Sequence, residues 1–97
     1  MDKKHQMSFL LGAARDYQDD LMPLGMLIDK AEGILEILQD VAIKNAFFDA
    51  LLALEEVYAR TRAGGFDFQK DGRPVVDRAV KEVLIKAEAF LQPVSKV

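Results

Sequence analysis

The chain has 97 residues, of which 51% are hydrophobic and 30% charged, with a net charge of −3 and no cysteine. These values are typical of one globular domain and exclude a disordered chain, disulfides and cysteine metal sites. No apolar run approaches the ~20 residues that span a bilayer, and the charged start is followed by too few apolar residues for a signal peptide. We therefore expect a single cytoplasmic domain over residues 1–97.

The first helix is expected to begin after a short charged segment. Residues 1–6 are interpreted as disordered, and His5, the single histidine of the chain, as a solvated terminal side chain rather than a ligand. Ser8 is a candidate N-cap. Apolar residues recur at helical spacing beyond it and predict an amphipathic helix over 8–19.

Pro23 interrupts this pattern, because proline lacks a backbone donor and crowds the preceding turn. The apolar phase nevertheless continues from Met7 to Leu38, so two interpretations remain. In the first, a second helix spans 23–39. In the alternative, the chain has three helices, and the first is long, kinked at Pro23 and covered by a dimer partner.

The second predicted helix is apolar over more than half of its circumference, which indicates a central position. Gly33 lies within it at a cost of ~1 kcal/mol relative to alanine, and its missing side chain is interpreted as admitting a close neighbour. The broad apolar surface from Leu24 to Leu38 is also a candidate homodimer interface.

The third helix, 45–62, has the clearest pattern in the chain. Asn45 is a candidate N-cap, and the glycines that follow the helix can end it. Its apolar residues recur at steps of four, three and four: Phe47, Leu51, Leu54 and Tyr58. A short connection is placed between 39 and 45, where the apolar pattern loses phase.

An irregular loop is predicted over 63–73, with two phenylalanines packed onto the end of the bundle. Its polar residues match the first ligand positions of an EF-hand calcium loop, but the twelfth position, which requires a bidentate glutamate, is Arg78. A plain turn or a miniature hairpin is therefore favoured. The residues in question are Phe66, Asp67, Phe68, Gln69, Asp71 and Gly72.

The last helix is predicted over 74–91. Pro74 suits a first helical turn, and Pro93 closes the helix. Together the four patterns predict an all-α fold, an antiparallel four-helix bundle.

No group of residues in the sequence predicts chemistry. The predicted helices contain no histidine, which carboxylate-bridged metal sites of helical bundles require, and no glycine-rich phosphate loop follows a strand. The chain also lacks a cysteine nucleophile and a usable histidine base. We therefore expect no enzymatic activity, no cofactor and no metal site.

Charge is distributed unevenly along the chain. Residues 16–40 contain seven acids and one lysine, whereas residues 60–81 contain six basic and three acidic residues. The acidic segment would repel a phosphate backbone, so nucleic acid is not an expected partner. The lack of a long apolar run likewise gives no expectation of a membrane partner. An acidic helical face favours a basic protein. The residues predicted to bind it are Asp16, Asp19, Asp20, Asp29, Glu32, Glu36 and Asp40.

The sequence therefore predicts a non-catalytic protein-protein interaction module. An immunity or inhibitor protein that neutralises a cationic toxin is one concrete form of it. The alternative is a homodimeric helical bundle that serves as a structural scaffold.

Overall fold

A computed structural model describes residues 2–92 of the chain. Over this range the chain has no strand, and a single π-helical turn, Phe68–Gly72, precedes the last helix. The predicted all-α four-helix bundle is confirmed. Its helices are α1 (Lys3–Gln18), α2 (Leu24–Leu38), α3 (Val41–Ala63) and α4 (Arg73–Leu91). None of them combines the length and the apolar character needed to cross a membrane.

Each helix packs against two neighbours, in the cyclic order α1, α2, α3, α4. The Lys86 ammonium near the end of α4 donates to the Ala46 carbonyl oxygen near the start of α3 at 2.6 Å, so these two helices are antiparallel. An apolar cavity of about 10 Å³ lies in the core, too small to hold more than one water. The largest fully buried side chains come from all four helices: Met7, Leu10, Leu27, Leu54, Val76 and Val80.

The first helix ends before Pro23 and is not merely kinked there. The helix α1 ends at Gln18, and the Leu21 amide donates to the Asp16 carbonyl oxygen at 2.8 Å within the turn that follows. Leu21 lies in this turn and is 73% exposed. The interpretation with three helices is therefore wrong. The helical spacing of apolar residues continues from α1 into α2 because both helices pack against the same core.

The start of α1 corrects the sequence-based expectation. The Asp2 carboxylate accepts a hydrogen bond from the Lys4 amide at 3.2 Å and caps the helix. Gln6 is buried in the second turn. Residues 3–6 are therefore helical rather than disordered, while Met1 lies outside the described residues. Ser8 is an exposed residue inside the helix and not its cap.

The helix α3 also begins earlier than expected. The Asp40 carboxylate accepts from the Ile43 amide at 3.1 Å, so Asp40, and not Asn45, is the N-cap. The connection from α2 consists of Gln39, in the left-handed conformation with φ of 49°, and Asp40. The predicted connection between 39 and 45 is therefore too long. The pattern lost phase because Val41 is exposed at the start of α3.

The segment between α3 and α4 is more regular than predicted. Gly64 and Gly65 adopt positive φ values and end α3. A π-helical turn then replaces the expected irregular loop or hairpin, and the Asp67 carboxylate caps it by accepting from the Lys70 amide at 3.1 Å. Phe66 and Phe68 pack against the core as predicted.

The last helix agrees with its prediction. Pro74 lies in the first turn of α4, and the helix ends at Leu91. Pro93, predicted to close it, lies outside the described residues.

Two glycines differ in the space around them. A Cβ atom on Gly33 would meet nothing within 4 Å, so the expected close neighbour is absent in residues 2–92. A Cβ on Gly72 would lie 2.9 Å from side-chain atoms of Phe66 and Val57. Close packing therefore requires glycine at position 72 but not at position 33.

We predict opposite effects on stability for Gly33→Ala and Gly72→Ala. The first should raise the free energy of unfolding by about 0.5 to 1 kcal/mol, because alanine favours the helix. The second should lower it by about 1 to 3 kcal/mol, because the added methyl group overpacks the end of the core. Urea denaturation in dilute solution measures both, and a Gly72→Ala variant as stable as the original chain would contradict the packing described.

Candidate functional site

The seven acidic residues predicted to form one partner-binding face lie in three different places. The first group lies at the end of α1 and in the turn after it, the second lies on α2, and the last residue caps α3. In that order, the groups are Asp16, Asp19 and Asp20; then Asp29, Glu32 and Glu36; then Asp40.

Asp40 is engaged within the chain. The Lys3 ammonium donates to its carboxylate at 2.7 Å, and the Ile43 amide donates to the same group. These hydrogen bonds, that from Lys3 first, lower the pKa of Asp40 below its ordinary value. Its charge therefore links the starts of α1 and α3.

The three acids of α2 face the neighbouring helix α3. Asp29, Glu32 and Glu36 follow one another at steps of three and four, which places them on one side of α2. On α3, the Glu55 carboxyl lies where a protonated Glu32 carboxyl can donate a hydrogen bond to it. A bond between two carboxyl groups requires a proton on one of them. The bundle therefore places two acidic groups where only one is readily ionised.

This pairing changes the acidity of Glu32. A hydrogen bond that the protonated Glu32 carboxyl donates to Glu55, together with partial desolvation and the charges of Glu55 and Asp29, raises the pKa of Glu32 to about 7. Within residues 2–92, neither Glu32 nor Glu55 forms an ion pair. Their mutual repulsion therefore has no cation to relieve it in this part of the chain.

Apolar side chains lie beside the carboxyl pair. Phe48 and Leu52 precede Glu55 by seven and three residues, so all three lie on one side of α3. Phe48 is 59% exposed and Leu52 is 41% exposed. Lys44 contacts Glu36 at 3.8 Å, but both side chains are exposed and the pair contributes little. We call this set the α2–α3 surface: Asp29, Glu32, Glu36, Phe48, Leu52 and Glu55.

Three members of this surface were not identified from the sequence: Phe48, Leu52 and Glu55. Glu55 follows Leu51 by four residues and precedes Tyr58 by three, which places it at the edge of the buried stripe. That spacing was a usable signal. Which helix would face it was not visible in the sequence.

A cleft of about 630 Å³ lies at the end of the bundle where α2 begins. Aromatic rings of Tyr17, Tyr58 and Phe68 line it, and Asp29 is the charged group among its lining residues. A Cβ on Gly25 would lie 2.8 Å from the Tyr58 hydroxyl oxygen, so glycine allows this ring to pack against α2. Burial and the charge of Asp77 raise the pKa of Tyr17.

Groups suited to metal binding are absent from the described part of the chain. Between residues 2 and 92, no three histidine, aspartate or glutamate side chains are grouped in a way that could hold a metal ion. His5 lies exposed in the first turn of α1, with its ring edge-on to Phe9 at a centroid distance of 5.0 Å.

Comparison of the chain with protein-family models, with curated proteins and with solved structures found no match in any of the three.

We predict that Glu32→Gln stabilises the fold at pH 8 but not at pH 4. The pKa of Glu32 is higher in the folded chain than its ordinary value of 4.5. The carboxyl therefore stabilises the fold at low pH, and this contribution is lost as pH rises through about 7. Glutamine removes the charge that repels Glu55. Because the two carboxyl groups are in contact with solvent, screening limits the increase in the free energy of unfolding to about 1 kcal/mol. This corresponds to an increase in Tm of about 4 to 8 °C.

Thermal unfolding at the two pH values measures this effect. Glu56→Gln is the matched control, because Glu56 is exposed on α3 and forms no ion pair within residues 2–92. It should change Tm little at either pH. An equal increase in Tm for Glu32→Gln at pH 4 and at pH 8 would contradict the pairing of the Glu32 and Glu55 carboxyl groups.

Proposed function

We propose that this chain is a non-catalytic module that binds a basic segment of another protein through the α2–α3 surface. The observation that carries the proposal is the pair of Glu32 and Glu55, two carboxyl groups in mutual contact with no ion-paired cation among residues 2–92. An arginine or lysine of the partner placed between them would replace repulsion by two charge-assisted hydrogen bonds.

The apolar neighbours narrow the chemistry of the partner. Phe48 and Leu52 offer exposed apolar area directly along α3 from Glu55. A partner that carries only positive charge would leave this area in contact with water. An amphipathic segment that presents a cation to Glu55 and an apolar side chain to Phe48 satisfies both parts of the surface.

Charge also gives the surface a role in association. Asp29 and Glu36 extend the negative potential along α2 on either side of Glu32. Such a potential steers a basic partner towards the surface and makes the rate of association depend on salt. A protein that neutralises a cationic toxin is one concrete form of such a module.

Capture of partners from cells of the source organism tests the proposal. We predict that the chain retains a partner at low salt and releases it at high salt, and that Glu32→Lys with Glu55→Lys abolishes retention. The physical reason is that two lysines convert the site from attraction to repulsion. The captured protein, once purified, should bind the original chain directly in calorimetry.

The matched control is Glu56→Lys, which changes a charge next to Glu55 on α3 but outside the α2–α3 surface. This variant should retain the partner. Retention that is unaffected by both salt and the double substitution would remove the electrostatic basis of the proposal.

The affinity of this complex should also depend on pH. Below about pH 7, a proton occupies the carboxyl pair and competes with the partner's cation. Affinity should therefore fall by up to about tenfold per pH unit below that value and be constant above it. Calorimetry from about pH 5.5 to about pH 8.5, a range that includes values on both sides of the titration, measures how the affinity changes with pH.

Glu32→Gln with Glu55→Gln provides the control for this pH dependence. The double variant should bind more weakly, with a profile that no longer changes near pH 7, because neither side chain can then titrate. An unchanged profile in the double variant would assign the titration to another group, such as a histidine of the partner.

A further inference from the structure

A groove of about 570 Å³ runs between α1 and α2, on the side of α2 that faces away from α3. Gly12 lies on its α1 wall and Gly33 on its α2 wall, and a Cβ atom on either would meet nothing within 4 Å. Large apolar side chains stand beside this free space. Phe9 on α1 is 54% exposed, and Ile37 on α2 is 58% exposed. The same surface therefore carries both protrusions and empty positions.

The walls of the groove carry opposite charges. Asp16 lies on the α1 wall and Lys30 on the α2 wall. Neither forms an ion pair in the part of the chain that the structure describes. A surface with one acid and one base on opposite walls is complementary to itself, because a two-fold axis brings the acid of one copy to the base of the other.

We propose that this groove is an interface with a second copy of the chain. The partner in this inference is the chain itself, which is independent of the basic partner proposed for the α2–α3 surface. The two surfaces lie on different sides of α2, so substitutions can change one without changing the other.

The positions of the groove residues along the helix axes support a two-fold axis parallel to the helices. Phe9 and Gly33 are equally far along the chain from Leu21, the midpoint of the turn between α1 and α2. They therefore lie at one level of the antiparallel pair. The axis places α1 of one copy against α2 of the other, with Phe9 over the space at Gly33.

The same axis brings the free charges together. Lys30 lies about one helical turn further from Leu21 than Asp16 does. Its long side chain spans this offset, and the two-fold axis forms the contact between Asp16 and Lys30 twice. The apolar and the charged contacts therefore require the same arrangement of the two copies.

The area of the α1–α2 face that contains the groove determines how strong the dimer is expected to be. With 16 residues, α1 is about 24 Å long, and two adjacent helices are about 20 Å wide. The face thus offers about 500 Å² per copy, at the lower limit of specific interfaces. We therefore expect a weak dimer whose population rises with concentration.

Sedimentation of the full chain over a wide range of concentrations tests the inference. The mass should rise from 10.9 kDa towards twice that value. Asp16→Lys alone and Lys30→Asp alone should each weaken association about tenfold or more, because each replaces two attractive contacts by two repulsive ones. A mass of 10.9 kDa at every concentration for the original chain would overturn the inference.

Mixing the two single variants is the decisive measurement. A chain with lysine at both positions and a chain with aspartate at both positions are complementary, so the equimolar mixture should recover association. Recovery also shows that both variants are folded. Failure of the mixture to associate while the original chain dimerises would overturn the proposed contact.

The apolar part of the interface has its own variants. Gly33→Leu fills the space beneath Phe9, and Phe9→Ser removes the protrusion, so each should abolish the dependence of mass on concentration. Ile85→Ser is the matched control, because Ile85 is 57% exposed on α4, away from the groove. An equal loss of association for Ile85→Ser would overturn the assignment of the dimer to this face.

Discussion

Burial of α4 between α1 and α3 is the constraint on which the rest of the structure depends. Val76, Val80 and Ala87 have at most 1% of their surface exposed, and α4 packs against α1 on one side and α3 on the other. The helices α1 and α3 are not neighbours among the described helices. The orientation of α2 is set in turn by the two helices it bridges. This packing also decides which charged and apolar side chains remain on the surface of the bundle.

The carboxyl pair on the α2–α3 surface is a consequence of that packing. Glu32 and Glu55 lie at the edges of apolar stripes that must meet, so the hydrophobic contact brings two like charges together. Burial of even one leucine contributes about 2 kcal/mol, which exceeds the repulsion of a solvent-exposed pair. The fold therefore tolerates the pair. A basic partner would relieve a repulsion that the isolated chain retains.

The helix α2 has three distinct sides. One side carries Leu27, Leu35 and other core residues, one carries the acids that face α3, and one forms a wall of the groove with α1. The broad apolar surface expected to form a homodimer interface is mostly covered by the chain itself. Of that surface, Met26 and Ile37 remain exposed. One helix of a small bundle can therefore contribute to two separate surfaces.

The sequence by itself determined the all-α fold class and most of the core residues, because helical periodicity is a local property of the chain. Only the tertiary structure decided that Pro23 follows a break between two helices rather than a kink within one. The sequence did not determine the start of α1 or α3, because Asp, Ser and Asn are all good N-caps and each start offers two candidates, Asp2 or Ser8 and Asp40 or Asn45. The sequence also placed seven acids on one face. Only the tertiary structure decided that they separate into three groups and that Glu55 joins Glu32, because contact between helices depends on their relative rotation and level, which no spacing within one helix specifies.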